Sequence, residues 1–383
     1  MLARLRTVGD LCVGLVPWVP WERRHGLDSL DADRLTRILA ADAPGARVLR
    51  FTADRDRQTT DRARLDLEWN DVGTAADLPR TLFAKGTPSL ASSRMLNSAF
   101  GLCGTEVRVY ADAHADLADI TLRPYHASIG AGGRFLLVLE SRDPEETHFF
   151  TMRETASLEH ARAIVIALGR MHARFHESPR FRTDLSWVTP YSGRPGQALA
   201  PTILKAAEKR FATKYDVPDE VTRIIGLHVH NADELTRIWE ALPATLCHGD
   251  THIGNTFRTV DGRSGLFDWQ ETHRMNGLRE IAYFLASAFE PAELRTHEND
   301  LLALYLETLA VGGVADVPAF TDAFDTYRLM MLDAWRSVWA SLALMPVQQD
   351  DLAEILIARH CGHLVDLDVE DAVRTALRAG GPR

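Results

Sequence analysis

Lysine is nearly missing from this chain. Of its 43 lysines and arginines only four are lysine: Lys85, Lys205, Lys209 and Lys214. Lys85 is alone in the first 204 residues. Where arginine serves as the general cation, a lone lysine marks a place where a compact ammonium is wanted, as when a point charge must reach phosphate oxygens. Cysteine is scarce as well. Cys12, Cys103, Cys247 and Cys361 lie far apart, with no CxxC pair and no zinc-type spacing. That excludes a disulfide framework and predicts free buried thiols in a reducing cytoplasm. Cys247 reads as a small apolar residue at a strand end and not as a nucleophile. Long apolar runs are lacking. Leu11–Trp21 follows Arg4 and Arg6 in the manner of a leader, but Pro17 and Pro20 break it and no small-residue cleavage site follows. It reads as an arm packed on the body through Trp18 and Trp21, and no membrane span is expected. An excess of positive charge is also absent. The net charge of −10 argues against general nucleic-acid binding. The expectation is a cytoplasmic monomer or homodimer with neither nucleic acid nor membrane as partner.

What is present fits a globular protein of two domains: 383 residues, 46% hydrophobic and 25% charged, enough for two cores. Leu27–Ala41 has helical periodicity, with acidic residues at its start. Val48–Thr52, Arg62–Trp69 and Thr81–Lys85 read as strands, the second with Ala63, Leu65, Leu67 and Trp69 on one face. The Ala53–Asp61 segment between the first two reads as a loop. A helical segment follows at Leu96–Ala118. Ile120–His126 and Phe135–Leu139 are again strand-like, joined by a turn at Gly130–Gly133. Beyond Glu140 the pattern turns helical. Ser157–His176 is periodic throughout, Pro190–Pro201 reads as a surface loop, and 278–380 is almost entirely helical. The short apolar runs Ala244–Cys247 and Ser264–Phe267 interrupt this region. Strands gathered first and helices after them mean α+β. The boundary falls at 140, giving 1–140 and 141–383.

The chemistry concentrates between those two apolar runs. His248-Gly249-Asp250-Thr251-His252-Ile253-Gly254-Asn255, followed by Leu266-Phe267-Asp268-Trp269, places two aspartates, one asparagine and two histidines in 21 positions. An aspartate five residues before an asparagine, with a second aspartate after an apolar run, suits Mg-assisted phosphoryl transfer. One carboxylate receives a substrate hydroxyl, while the amide and the other carboxylate hold the metal. A loop held by flanking strands is where such residues collect.

With Lys85, Glu106, the Phe135–Leu139 run, His248–Asn255 and Asp268 in this order, the chain resembles the aminoglycoside phosphotransferase and choline kinase superfamily. The likeness is greatest to bacterial members similar to ecdysteroid-kinase-like phosphotransferases. The resemblance covers roughly 27 to 290. It implies a two-lobed protein-kinase-like fold, with a small strand-rich N-lobe that binds nucleotide and a larger, mainly helical C-lobe that binds the acceptor. It implies ATP or GTP and Mg²⁺ as cofactors, and an alcohol group on a small molecule as acceptor. Asp250 would orient the acceptor hydroxyl, and Asn255 and Asp268 would bind Mg²⁺. Lys85 would meet the nucleotide phosphates and pair with Glu106. Glu140, Ser141 and Arg142 would form the hinge that offers backbone groups to the base.

Two departures stand out. The Ala53–Asp61 segment holds no glycine where the family usually has it to let backbone N–H groups approach phosphates. Hydroxyls, Thr59 and Thr60 among them, would serve instead. Glu280 stands where the family usually has an aspartate and is expected to tie the catalytic loop down. The glycine-free segment leaves a pseudokinase scaffold or a nucleotidyltransferase open on the same fold. A metallohydrolase built on His248, Asp250, His252, Asp268 and His273 would suit the residue types but leaves Lys85 and Glu106 without a role. Trp335 and Trp339 are either core or the wall of an acceptor pocket.

Overall fold

The structure, a computed structural model, describes residues 25–57, 60–130, 133–344 and 350–380. Thr59 and the arm at Leu11–Trp21 lie outside the described residues. The chain divides into two compact units. The first runs to Thr147 and includes Trp269–Glu271, and the second comprises His148–Asp268 and Thr272–Arg383.

The first unit is built on a five-stranded antiparallel sheet. Its strands are β1 (Val48–Arg57), β2 (Asp61–Trp69), β3 (Thr81–Gly86), β4 (Pro124–Ile129) and β5 (Phe135–Glu140), in the order β1-β2-β3-β5-β4. Alternation along β2 buries Ala63, Leu65, Leu67 and Trp69 and leaves the residues between them exposed. On that face Leu35 and Leu39 of the helix Ala32–Leu39 join Leu65, Leu82, Ala84 and Val138 in one cluster. β5 lies between β3 and β4, which is why its residues Phe135–Leu139 are all buried and apolar.

Four local expectations shift. The helix at Leu27–Ala41 is shorter, because Asp31 caps Ala32–Leu39 by accepting the Arg34 N–H at 2.6 Å, leaving only a 3₁₀ turn at Leu27–Ser29 before it. Leu96–Ala118 is several helical pieces. Ala91–Phe100 ends at Gly101, whose φ of 68° is left-handed, and Leu102–Arg108 starts a new one. The strand placed at Ile120–His126 begins only at Pro124, since Thr121 and Leu122 are spent on burial ahead of it. Ala53–Asp61 is largely strand: β1 continues to Arg57, which pairs with Asp61 of β2. Its alternating charges are what an edge strand carries.

In the second unit the helix Leu158–Phe175 starts where Ser157 caps it through the His160 N–H. Thr245–Cys247 pairs antiparallel with His273–Met275, and Thr256–Thr259 with Ser264–Leu266. The two expected strands therefore flank the His248–Asn255 loop, each paired with a different partner. The helices Leu278–Ala288, Pro291–Val311, Phe320–Leu344, Asp350–Asp366 and Val369–Ala379 complete the unit. Every residue of Leu278–Ala288 is buried, which makes it the central helix of the unit. Pro190–Pro201, read as an open loop, holds two 3₁₀ turns, at Tyr191–Gly193 and Gln197–Leu199. No helix among the described residues is long and apolar enough to cross a membrane.

Candidate active site

Two fully buried side chains hold the loop at His248–Asn255. Glu280 accepts the His248 N–H at 2.6 Å and the Gly249 N–H at 3.1 Å. Arg279, beside it, donates to the Gly249 carbonyl at 2.8 Å. Gly249 has φ of 89°, a left-handed conformation that glycine adopts without strain. Thr251 donates to the Glu280 carbonyl at 3.2 Å, and the Ile253 N–H reaches the Ser287 hydroxyl at 2.9 Å. The expected tying role of Glu280 is thus visible in its bonds.

His248 is locked by backbone on both ring nitrogens. Nδ1 accepts the Asp250 N–H at 3.2 Å, which puts the proton on Nε2, and Nε2 donates to the Phe267 carbonyl at 2.9 Å. Burial lowers its pKa to about 4, against the opposing pull of Asp250, so the ring is neutral at pH 7. It links the loop to the residue just before Asp268. Both nitrogens are engaged, so His248 has no lone pair left for a metal. Among the described residues, the one gathering of three side chains able to share an ion is His172, Cys247 and Glu280. The geometry therefore does not assemble the di-metal cluster of the metallohydrolase reading.

Asp250 lies next to Asn255, whose Nδ2 donates to the Asp250 carbonyl at 2.8 Å and to its Oδ2 at 3.1 Å. His252 Nε2 lies 3.4 Å from the same oxygen, and the Tyr283 hydroxyl hydrogen-bonds the carboxylate. Burial alone would raise the pKa of Asp250, but His252, His248 and Arg279 outweigh it and hold the group well below the usual carboxylate range. Asp250 is a carboxylate at any physiological pH. With Asn255 Nδ2 turned to Asp250, the amide oxygen is the atom Asn255 has for a cation. Asp268 is half-buried, at φ of 67°, a conformation aspartate tolerates better than most residues. Two hard oxygen donors of this kind suit Mg²⁺.

In the first unit Lys85 Nζ lies 2.6 Å from Glu106 Oε1, with side-chain exposures of 5% and 1%. These values decide that the pair is buried, where either charge alone is costly. Lys85 reaches it because alternation along β3 turns Leu82 and Ala84 to the other face, into the core cluster. Thr60 is buried and accepts from Arg62 Nε at 3.3 Å. Glu140 ends β5, and its carboxylate takes the Arg123 N–H at 3.0 Å and Arg142 Nη2 at 2.8 Å. Ser141 and Arg142 follow in irregular backbone. Trp269 is fully buried and donates to Thr121 at 2.8 Å.

Residues 130–314 match the family model described as "Phosphotransferase enzyme family". Over that stretch, just under half of the chain, it is similar to the phosphotransferase enzyme family. A protein from Ralstonia eutropha, provisionally described as an aminoglycoside phosphotransferase, is similar in structure, with a TM-score of 0.50 at 11% identity over 92% of this chain and 96% of that one. A choline kinase from Streptococcus pneumoniae has a TM-score of 0.48 at 14% identity over 87% and 98%. An ethanolamine kinase from Plasmodium vivax has 0.47 at 13% over 82% of each. At 11% identity the likeness to the first of these concerns the fold alone, an α+β protein-kinase-like one. No curated protein matches the chain in sequence.

Buried residues around this loop include some that its motif does not announce. Arg279 Nε binds Asp333 at 2.9 Å, and Asp333 also takes Arg336 Nε at 2.7 Å. Asp333 is fully buried. Burial would raise its pKa, but the two guanidiniums hold it far below the carboxylate range. Asp333 breaks an apolar stretch of its helix, with an arginine three residues on, but nothing in the sequence ties it to the loop. Trp335 and Trp339 are fully buried, as core residues are. Cys103, Cys247 and Cys361 are free and buried, and burial pushes the Cys247 thiol well up, which leaves it inert.

Proposed function

We propose that this protein is a phosphotransferase that moves the γ-phosphate of ATP or GTP to a hydroxyl of a small molecule, with Mg²⁺. The observation that supports this reading best is the loop of the second unit. It presents an ionised Asp250 beside Asn255, five residues apart, on backbone anchored by Glu280, Arg279 and His248. In this reading Asp250 accepts the hydrogen bond of the acceptor hydroxyl and orients its oxygen toward the phosphorus. Its low basicity makes it a weak proton acceptor, so orientation is its main contribution, with a proton taken late as the new P–O bond forms. Asn255 and Asp268 are the residues that would hold Mg²⁺, which when bound neutralises charge on the phosphates. Lys85, held by Glu106, supplies a fixed cation to the nucleotide phosphates. Thr60, Glu140, Ser141 and Arg142 are assigned to nucleotide contact on the same reading. The first unit would then be the nucleotide-binding part and the second the catalytic and acceptor-binding part.

Incubation with a library of small alcohols and nucleotide labelled at either the α- or the γ-phosphate tests the reading. Label passing to product from the γ-position only is expected. Label passing from the α-position only would make the chain a nucleotidyltransferase, and transfer from neither position, with no nucleotide-induced shift in melting, would make it a scaffold.

A further inference from the structure

We infer that the acceptor carries an oxyanion, a carboxylate or a phosphate ester, and that Arg194 and Arg336 bind it beside the ring of Tyr191. This rests on the transfer reading above and names the acceptor class of that same site. The Cζ of Arg336 lies 5.4 Å from the Tyr191 ring centroid and that of Arg194 lies 6.0 Å from it. Tyr191 is buried, while Arg194 and Arg336 are each only half-buried. The two guanidiniums thus converge on one ring with part of their surface open to a ligand. The cluster is built. Asp333 divides its two oxygens between Arg336 and Arg279. Ser337 Oγ takes Arg279 Nη2 at 2.8 Å and Arg336 Nη2 at 3.4 Å. A planar guanidinium fixed by such bonds is suited to carboxylate and phosphate oxygens.

The cluster adjoins the reacting end. Arg279 donates to the Gly249 carbonyl, and its Cζ lies 4.8 Å from the ring of Tyr283, whose hydroxyl meets Asp250. Arginine predominates around His273. His273 is fully buried and its pKa is lowered well, first by burial; Arg194, Arg279 and Arg336 add to this and Asp333 opposes it. Arg194 itself is lowered to about 10, first by burial; Tyr191 and Asp333 oppose this, and Arg336 and Arg279 add to it. A cationic acceptor would be repelled from such a pocket, while an anionic one relieves it.

The full chain tests this in two steps. Melting of the protein is first measured against sodium sulfate at fixed ionic strength, with chloride as reference. Sulfate is expected to raise the melting temperature of the wild type and of Asp250→Asn, and to act at about tenfold higher concentration on Arg194→Gln, the loss expected for one charge-assisted contact. Arg194→Lys should recover part of it. An equal sulfate response in the wild type and Arg194→Gln, or none in either, overturns the subsite. Transfer rates are then compared for glycerate, glycerol 3-phosphate, glycerol and choline. One of the two anions should be preferred, and which one identifies the oxyanion. Arg194→Gln should raise its KM about tenfold with a much smaller change in kcat. Preference for choline or glycerol overturns the anionic acceptor and leaves the transfer reading standing. A sulfate response lost in Arg194→Gln, with no transfer to any acceptor, upholds the subsite and sinks the transfer reading alone.

Discussion

The two units hold their charges differently. In the first, one pair, Lys85 with Glu106, is buried between a strand and a helix. In the second, Arg279 pairs with both Glu280 and Asp333, and Asp333 also with Arg336. The pair suits a residue that must present one cation at one place. The network suits a loop whose backbone must be held at several points. Removing one member of the pair takes a 2.6 Å charge contact from the other in a low dielectric, while Arg279 and Asp333 each keep a second ionic contact when one is lost.

The comparison breaks most visibly at Glu106. Glu106→Ala leaves Lys85 buried without its carboxylate and should cost roughly 3–5 kcal/mol, read as a fall in the midpoint of urea unfolding. Glu280→Gln should cost less, about 1–3 kcal/mol. Asp333 still faces Arg279, and the amide oxygen can still accept one loop N–H. Its larger mark should be on kcat, since Gly249 and Asp250 lose their anchor. If Glu280→Gln proves the more destabilising of the two, the contrast between pair and network is wrong.

Acid sharpens the comparison, because the buried histidines lie in the second unit. His160 and His248 are lowered to about 4, and His172, His228 and His360 to about 3, in each case first by burial. A folded-state pKa below the unfolded value of about 6.5 contributes stability that is complete above pH 6.5 and is lost as the pH falls toward the folded value. Unfolding free energy should therefore drop steeply between pH 6.5 and 4, with uptake of more than one proton per molecule unfolded. A flat profile over that window would contradict the buried neutral rings. The smallest effect is expected at the edge of the first unit. Asp31→Ala removes a helix cap and should cost about 1 kcal/mol with no change in turnover, measured by thermal melting and a steady-state assay side by side.

Much of the candidate site was legible because its parts are close in sequence or rare in composition. Asp250 and Asn255 lie within six consecutive positions, and Lys85 stood out as the lone lysine of its half. The strand-rich start and helical remainder also read directly, since Ala63, Leu65, Leu67 and Trp69 alternate and Ser157 caps a periodic run. What did not read was set by partners far along the chain. Asp333 lies 54 residues from Arg279, and nothing local marks it as part of the loop's support. Tyr283 looked like one apolar residue among many until its hydroxyl met Asp250. The Ala53–Asp61 segment looked like a loop because it is charged, but pairing with β2 makes an edge strand of it as far as Arg57. Its lack of glycine therefore says less about phosphate binding than composition suggested.

The central claim is that Asp250 acts on the acceptor hydroxyl while the nucleotide is held elsewhere. Turnover and nucleotide binding of Asp250→Asn, measured on the same preparation, test it most directly. The variant should bind nucleotide as the wild type does and lose turnover by about 10²–10⁴-fold. Turnover comparable to wild type would contradict the account.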